Sequence, residues 1–329
     1  MTGSVMEPEE RTYAGADGTA LPMWVWRPGG SCEPESRPAG ESPAASGLRP
    51  RLRLRKPAAG SNTAAPPPTL VYLHGIQSHS GWYEASSRYL AERGVAVYQV
   101  ERRGSGRDEA HPRGHVDRAQ VWLEDVARAA EVARGETGAE AVHLMGVSWG
   151  GKLALACAGH RPDLYRSLIL SAPGIFPKVD VALASKARVG KCLVLGREKE
   201  RFPIPLADPH LFTETPDRVR YIAEDSLSLR EVTARFMFES RRLDGLARQT
   251  ARRSRVPTLL CLAGRDRITD NAATRRLVYA MTARKRVRLY QGAHHTLEFE
   301  PDPEGYFADL VAWIMAFEPQ TDRATGNRH

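Results

Sequence analysis

The rhythm of apolar and polar positions changes three times along this chain. In residues 11–27 (RTYAGADGTALPMWVWR) two short strand-like segments flank Ala-Asp-Gly-Thr. Asp-Gly favours the φ > 0 positions of a tight turn, so a β-hairpin is expected there. Residues 29–68 show no periodicity. Pro, Gly, Ser and Ala dominate them, so they can bury little apolar surface, and a disordered insertion is expected. From residue 69 onward, apolar runs of strand length fall at 69–73, 95–100, 141–145, 167–170, 258–263 and 286–290. Helical patterns lie between and after them at 82–93, 117–134 (with Asp117 as cap), 149–159, 271–281 and 304–317. Near-continuous apolar strands are those of a parallel sheet covered on both faces. Their alternation with helices predicts an α/β protein, a doubly wound, mostly parallel sheet with right-handed crossovers.

Residues 172–255 break the alternation. They read as irregular at first and helical at 229–253. An insertion over the C-terminal edge of such a sheet is where a lid would sit, because open α/β sheets bind ligands at that edge. The expected organisation is therefore a hairpin of the core (1–28), the Pro/Ala/Gly/Ser-rich insertion (29–68), a first core part (69–171), a lid (172–255), a second core part (256–318) and a polar tail (319–329).

Charge changes this picture only where it is concentrated. Lys plus Arg number 47 against 39 Asp plus Glu, a net +8, and the sequence pI is near 9.5. Residues 69–171 sum to zero, whereas 172–255 carry +6 and 29–68 carry +3, including the basic run RPRLRLRK at 49–56. No zinc finger, aromatic RNA-binding motif or helix-turn-helix pattern accompanies the excess, so a nucleic-acid partner is not expected. Transient contact with an anionic membrane surface, or substrates with acidic head groups, is the remaining reading. Cys32, Cys157, Cys192 and Cys261 are far apart and form no CxxC pair, so neither a metal site nor a disulfide framework is expected. The N-terminus has no basic start and no apolar run, and no stretch is long enough to span a bilayer. A cytoplasmic location, peripheral to a membrane at most, is the expectation.

The candidate chemistry centres on Gly146-Val147-Ser148-Trp149-Gly150, a G-x-S-x-G between an apolar strand and a helical stretch. That context suits a nucleophile on a strained turn, with small residues where chain segments approach closely. A serine needs a base to take its proton. The loop after the last predicted strand, QGAHHTL, offers two adjacent histidines. His295 is the favoured base, and His294 is read as a loop residue covering the site. Asp266, at the end of the preceding strand, is placed to orient the histidine, while Asp270 is the better cap for the next helix. The order Ser148, Asp266, His295 is one known triad order. Backbone N–H groups of Ile76, after the first core strand, and of Trp149, at the helix start, are the candidate oxyanion donors. His74 reads as structural. His79, Trp82, Phe212 and Phe236 are candidate substrate contacts, although the apolar residues of 172–255 read equally well as a small core of their own.

The segments LHGIQSHSGWY, ERRGSGRDEAHPRGHVD, GVSWGGKLAL, AGRDRITDN and YQGAHHTLEFE resemble the monoacylglycerol lipases and lysophospholipases of the α/β-hydrolase superfamily. The resemblance covers roughly residues 11–27 and 69–318. It implies the α/β-hydrolase fold, a cofactor-free serine hydrolase and cleavage of a carboxylic ester, often of a monoacylated lipid, beneath a lid. Its GA-x-H-x-L pattern also selects His295. Trp149 departs from the Met common in that group and is more like proline iminopeptidases. An aminopeptidase or amidase, an acyltransferase and a non-catalytic binding protein on the same scaffold are the alternatives.

Overall fold

The computed structural model describes residues 6–28 and 65–318. Nearly all of the expected disordered insertion, with its basic run and Cys32, and the polar tail 319–329 lie outside the described residues. Eight strands form one sheet: β1 (Glu9–Ala14), β2 (Ala20–Trp26), β3 (Thr69–Leu73), β4 (Ala96–Val100), β5 (Val142–Val147), β6 (Tyr165–Ser171) and, after the insertion, β9 (Thr258–Ala263) and β10 (Lys285–Tyr290). Two short strands inside the insertion, β7 (Arg201–Pro203) and β8 (Glu231–Thr233), pair antiparallel with each other. The order in the large sheet is β1-β2-β4-β3-β5-β6-β9-β10. Only the β1–β2 and β2–β4 pairings are antiparallel. Strands β3 to β6 and β9 are apolar runs buried along nearly their whole length, as a sheet covered on both sides requires. At the edge, β10 alternates between half-buried and exposed positions.

The helices are α1 (Glu84–Ala91), α2 (Ala119–Thr137), α3 (Trp149–His160), α4 (Leu183–Val194), α5 (Pro216–Glu224), α6 (Ala234–Ala251), α7 (Asn271–Tyr279) and α8 (Glu304–Met315). The crossover from β3 through α1 moves one way across the sheet. Those through α2 and α3 move the other way. Right-handed crossovers in opposite directions put their helices on opposite faces, and α1 packs with α8 whereas α2 packs with α3. The reversal leaves the loops after β3 and β5 diverging at a topological switch point, where such sheets bind ligands.

Three local expectations are corrected. Asp117 does not cap α2. The helix starts at Ala119, whose N–H is capped at 2.9 Å by Glu239 of α6, so a tertiary contact replaces the local one. The stretch 82–93 divides into a 3₁₀ turn (Ser80–Tyr83) and α1. The helix expected at 229–253 is shorter, because β8 occupies 231–233, and the stretch before it holds α4 and α5. Asp270 does cap α7, accepting from the N–H of Ala273 at 3.0 Å.

Candidate active site

Strand β5 runs directly into Ser148, the residue before α3. Ser148 has φ 53° and ψ −120°, a conformation that costs a side-chain-bearing residue about 1–3 kcal/mol. Its neighbours hold it there. The Ser148 N–H donates to the carbonyl of Ser171 at 2.9 Å, and its carbonyl accepts from Gly151 (2.9 Å) and Gly174 (2.7 Å). A Cβ on Gly146 would lie 2.1 Å from the Gly150 carbonyl oxygen, and one on Gly150 would lie 2.5 Å from that of His74. Both positions therefore admit only glycine.

Asp266 ends the turn after β9, and His295 follows β10. Nδ1 of His295 lies 2.9 Å from Oδ2 of Asp266, with both side chains buried. The same carboxylate accepts from the N–H groups of Ile268 and Thr269 and from the Thr269 hydroxyl, at 2.7–2.9 Å. Burial alone would push the Asp266 carboxyl up. The facing imidazole and these hydrogen bonds outweigh it and hold the group at about 2. An ionised Asp266 fixes the proton on Nδ1, which leaves Nε2 as the acceptor. Nε2 is buried and has no hydrogen-bond partner among the described residues; no hydrogen bond joins it to Ser148 in this structure. His294 is occupied elsewhere, its N–H and Nδ1 meeting Glu300 at 2.8 and 3.0 Å.

The loop after β3 passes Ser148 closely: a Cβ on Gly75 would lie 3.4 Å from that of Ser148. Its orientation is fixed by Arg102, a residue that sequence reasoning did not single out. Buried Arg102 donates to the carbonyls of Gly75 (2.9 Å) and Ile76 (2.8 Å) and to the Ser105 hydroxyl (2.9 Å). His74 joins it, with Nε2 accepting from the Arg102 N–H at 3.0 Å and Nδ1 donating to the Gly75 carbonyl at 2.9 Å. Burial and the Arg102 charge push the His74 pKa well down, consistent with a neutral, structural imidazole.

Ser148, Ile76 and Trp149 border one cavity of about 380 Å³, walled largely by the 172–255 insertion. Ile204, Leu206, Val232, Phe236, Met237 and Phe238 line it. Of the four candidate substrate contacts, only Phe236 does so. His79 and Trp82 instead bind Asp225 of the insertion, through Nε2 at 3.1 Å and Nε1 at 2.7 Å. Phe212 packs edge-on against Trp82 and the His295 ring. Phe202 belongs to a small separate cluster with Val189, Cys192 and Ala234. The apolar residues of the insertion thus divide between cavity wall and local core. Among the described residues, no group of three or more His, Cys, Asp or Glu side chains is arranged to hold a metal ion.

A family profile described as serine aminopeptidase, S33 (Hydrolase_4) matches residues 64–302. The chain belongs to this α/β-hydrolase family. Among curated relatives, it is 25% identical to the monoacylglycerol lipase of Mycolicibacterium smegmatis, over 75% of this chain and 88% of that one. It is also 25% identical to the monoglyceride lipase of Homo sapiens, over 77% and 84% of the two chains. The crystal structure of Paleococcus ferrophilus monoacylglycerol lipase superposes with a TM-score of 0.67 at 26% identity, covering 76% of this chain and 95% of that one. The chain is thus a serine hydrolase of a family that includes monoacylglycerol lipases. No helix among the described residues is long and apolar enough to cross a membrane.

Proposed function

We propose that this protein hydrolyses carboxylic esters of monoacylated, lipid-like substrates through an acyl-enzyme. The reading is carried by Ser148 opening onto a cavity of about 380 Å³ walled mainly by apolar side chains. Ser148 Oγ attacks the acyl carbon while its proton passes to Nε2 of His295. The negative oxygen is received by the N–H groups of Ile76 and Trp149. The imidazolium, facing Asp266, returns the proton to the departing alkoxide. Water then repeats the sequence on the acyl-enzyme, releasing the acid and restoring Ser148. In this scheme 172–255 acts as the lid.

An aminopeptidase reading is favoured by the family's description, and it needs a free carboxylate for the substrate amine. The two carboxylates on the cavity wall are already paired: Asp244 with Lys152 at 2.7 Å, and Asp180 with Lys186 at 2.7 Å and with Arg241. Glu214, Glu224, Glu231 and Glu239 of 172–255 are other groups an amine could use; none lines the cavity, and Glu239 is buried against Arg242 and the start of α2. The ester reading is therefore preferred. Turnover of a monoacylglycerol against a prolyl-arylamide tests it, with fluorophosphonate labelling of Ser148 as the check that the serine is activated. Faster arylamide turnover would reverse the assignment.

The surface suits a lipid source. Leu183, Val194 and Leu195 of α4 and its end are exposed, beside Lys186, Arg188 and Lys191. Salt-sensitive binding to anionic but not neutral vesicles is expected if this face meets a membrane.

A further inference from the structure

One wall of the apolar cavity carries a hydroxyl donor with no acceptor among the described residues. Ser240, on α6, lines the cavity with Phe236 and Met237 one turn away. Its Oγ accepts from the indole N–H of Trp149 at 2.9 Å and from Nζ of Lys152 at 2.9 Å. Indole N–H and ammonium groups only donate, and a hydroxyl has two acceptor lone pairs, so both are filled. Lys152 remains an ammonium because Asp244 faces it at 2.7 Å, although burial pulls its pKa down. All three Lys152 protons are placed, on the Ser240 hydroxyl, the Ser240 carbonyl (3.2 Å) and Asp244. The hydroxyl proton of Ser240 has no acceptor among the described residues, not even the carbonyl one helical turn back. Ser240 is half-buried and lines the cavity, so an acceptor held there can reach this proton.

From this we infer that Ser240 selects acyl chains bearing a hydrogen-bond-accepting oxygen, such as a keto or hydroxy group, over plain alkyl chains. The inference rests on the ester-hydrolase reading and adds to it the class of acyl group. Trp149 adjoins the nucleophile and Lys152 lies one helical turn beyond Ser148, so Ser240 stands on the cavity wall shared with the nucleophile, and the ketone series reads at which carbon the oxygen is met. An unpaired oxygen costs free energy when it leaves water for an apolar cavity, and a waiting donor offsets that cost. Ser240 is a specificity residue here and has no part in bond breaking.

The test compares kcat/KM for the methyl ester of octanoic acid with those of its keto analogues, the ketone placed at successive carbons. One keto position is expected to exceed the plain chain. In S240A the keto-to-plain ratio at that position should fall about three- to tenfold, the worth of one hydrogen bond. Thermal unfolding reports whether S240A is folded, and fluorophosphonate labelling reports whether Ser148 is still activated. A wild-type ratio below one at every position, or an unchanged ratio in S240A, overturns the inference while leaving ester hydrolysis standing. The glyceryl ester of octanoic acid is measured beside the methyl ester, and an S240A effect confined to the glyceryl ester would place the alcohol there and also overturn the inference. Failure of the wild type on every ester would instead remove the parent reading.

Discussion

Nη1 of Arg102 holds the carbonyl oxygen of Gly75 at 2.9 Å. That carbonyl and the N–H of Ile76 belong to one planar trans peptide, so they point in opposite directions. Anchoring the carbonyl on Arg102 and His74 therefore turns the Ile76 N–H away from them, and Ile76 borders the same cavity as Ser148. The guanidinium also lies 4.6 Å from the Trp149 ring, bracing both proposed oxyanion donors from one side.

Arg102→Lys keeps the charge but not the fork that reaches two carbonyls and a hydroxyl. The expected outcome is a fall in kcat of about ten- to a hundredfold, somewhat less than complete loss of an oxyanion donor, with KM little changed. Affinity for a trifluoromethyl ketone, which mimics the tetrahedral oxyanion, should fall in parallel. A variant that raises KM alone would show that Arg102 serves only packing.

Asp266→Asn tests the assignment of the proton on His295. The amide can still accept from Ile268 and Thr269, so the fold should survive. It no longer favours the Nδ1 tautomer, and kcat should drop by about 10³–10⁴ with an unchanged circular dichroism spectrum. Retention of most activity would indicate that another carboxylate orients the base.

The sheet and the Ser148, Asp266 and His295 loops were legible because each depends on short local patterns: an apolar strand, then a turn of small or polar residues. The remainder depends on contacts distant in sequence. Glu239 caps α2 across 120 residues, and Asp225 reaches His79 and Trp82 across more than 140. A single sequence gives no sign of these pairings. His79 and Trp82 looked like substrate contacts because aromatic and imidazole groups beside a catalytic loop serve either purpose. Arg102 had a visible signal, an arginine two residues after β4 in ERRGSGR, but its role emerges only once β3 and β4 lie side by side. Trp149 similarly hid its polar edge, which meets Ser240 only through the packing of α3 on α6.

Gly150→Ala should be among the most damaging small substitutions. The new Cβ would lie 2.5 and 2.6 Å from the carbonyl oxygens of His74 and Leu73, both backbone atoms that cannot swing aside. Relief requires α3 to move away from β3, at a cost of about 1–3 kcal/mol or more. The measurement is denaturant unfolding, with loss of fluorophosphonate labelling expected even in the folded fraction. Gly135→Ala, where a Cβ meets nothing within 4 Å in the last turn of α2, is the control and should be neutral or stabilising.

Glu298 gives a pH dependence whose sign is fixed by burial. Its carboxylate accepts from the N–H (2.8 Å) and hydroxyl (2.5 Å) of Ser86, tying the loop after His295 to the first turn of α1. Burial pushes the carboxyl up from 4.5 to about 7, with the Ser86 hydrogen bonds pulling the other way. The folded state therefore keeps a proton that the unfolded chain has released between these values. Stability contributed by the protonated group is fully present below about pH 4.5 and is lost as pH rises towards 7. Glu298→Gln mimics the protonated form at every pH. Relative to that variant, the wild type should lose up to roughly 3 kcal/mol of unfolding free energy across this interval. Urea titrations of both proteins at several pH values measure the difference, and parallel pH profiles would refute the shifted carboxyl.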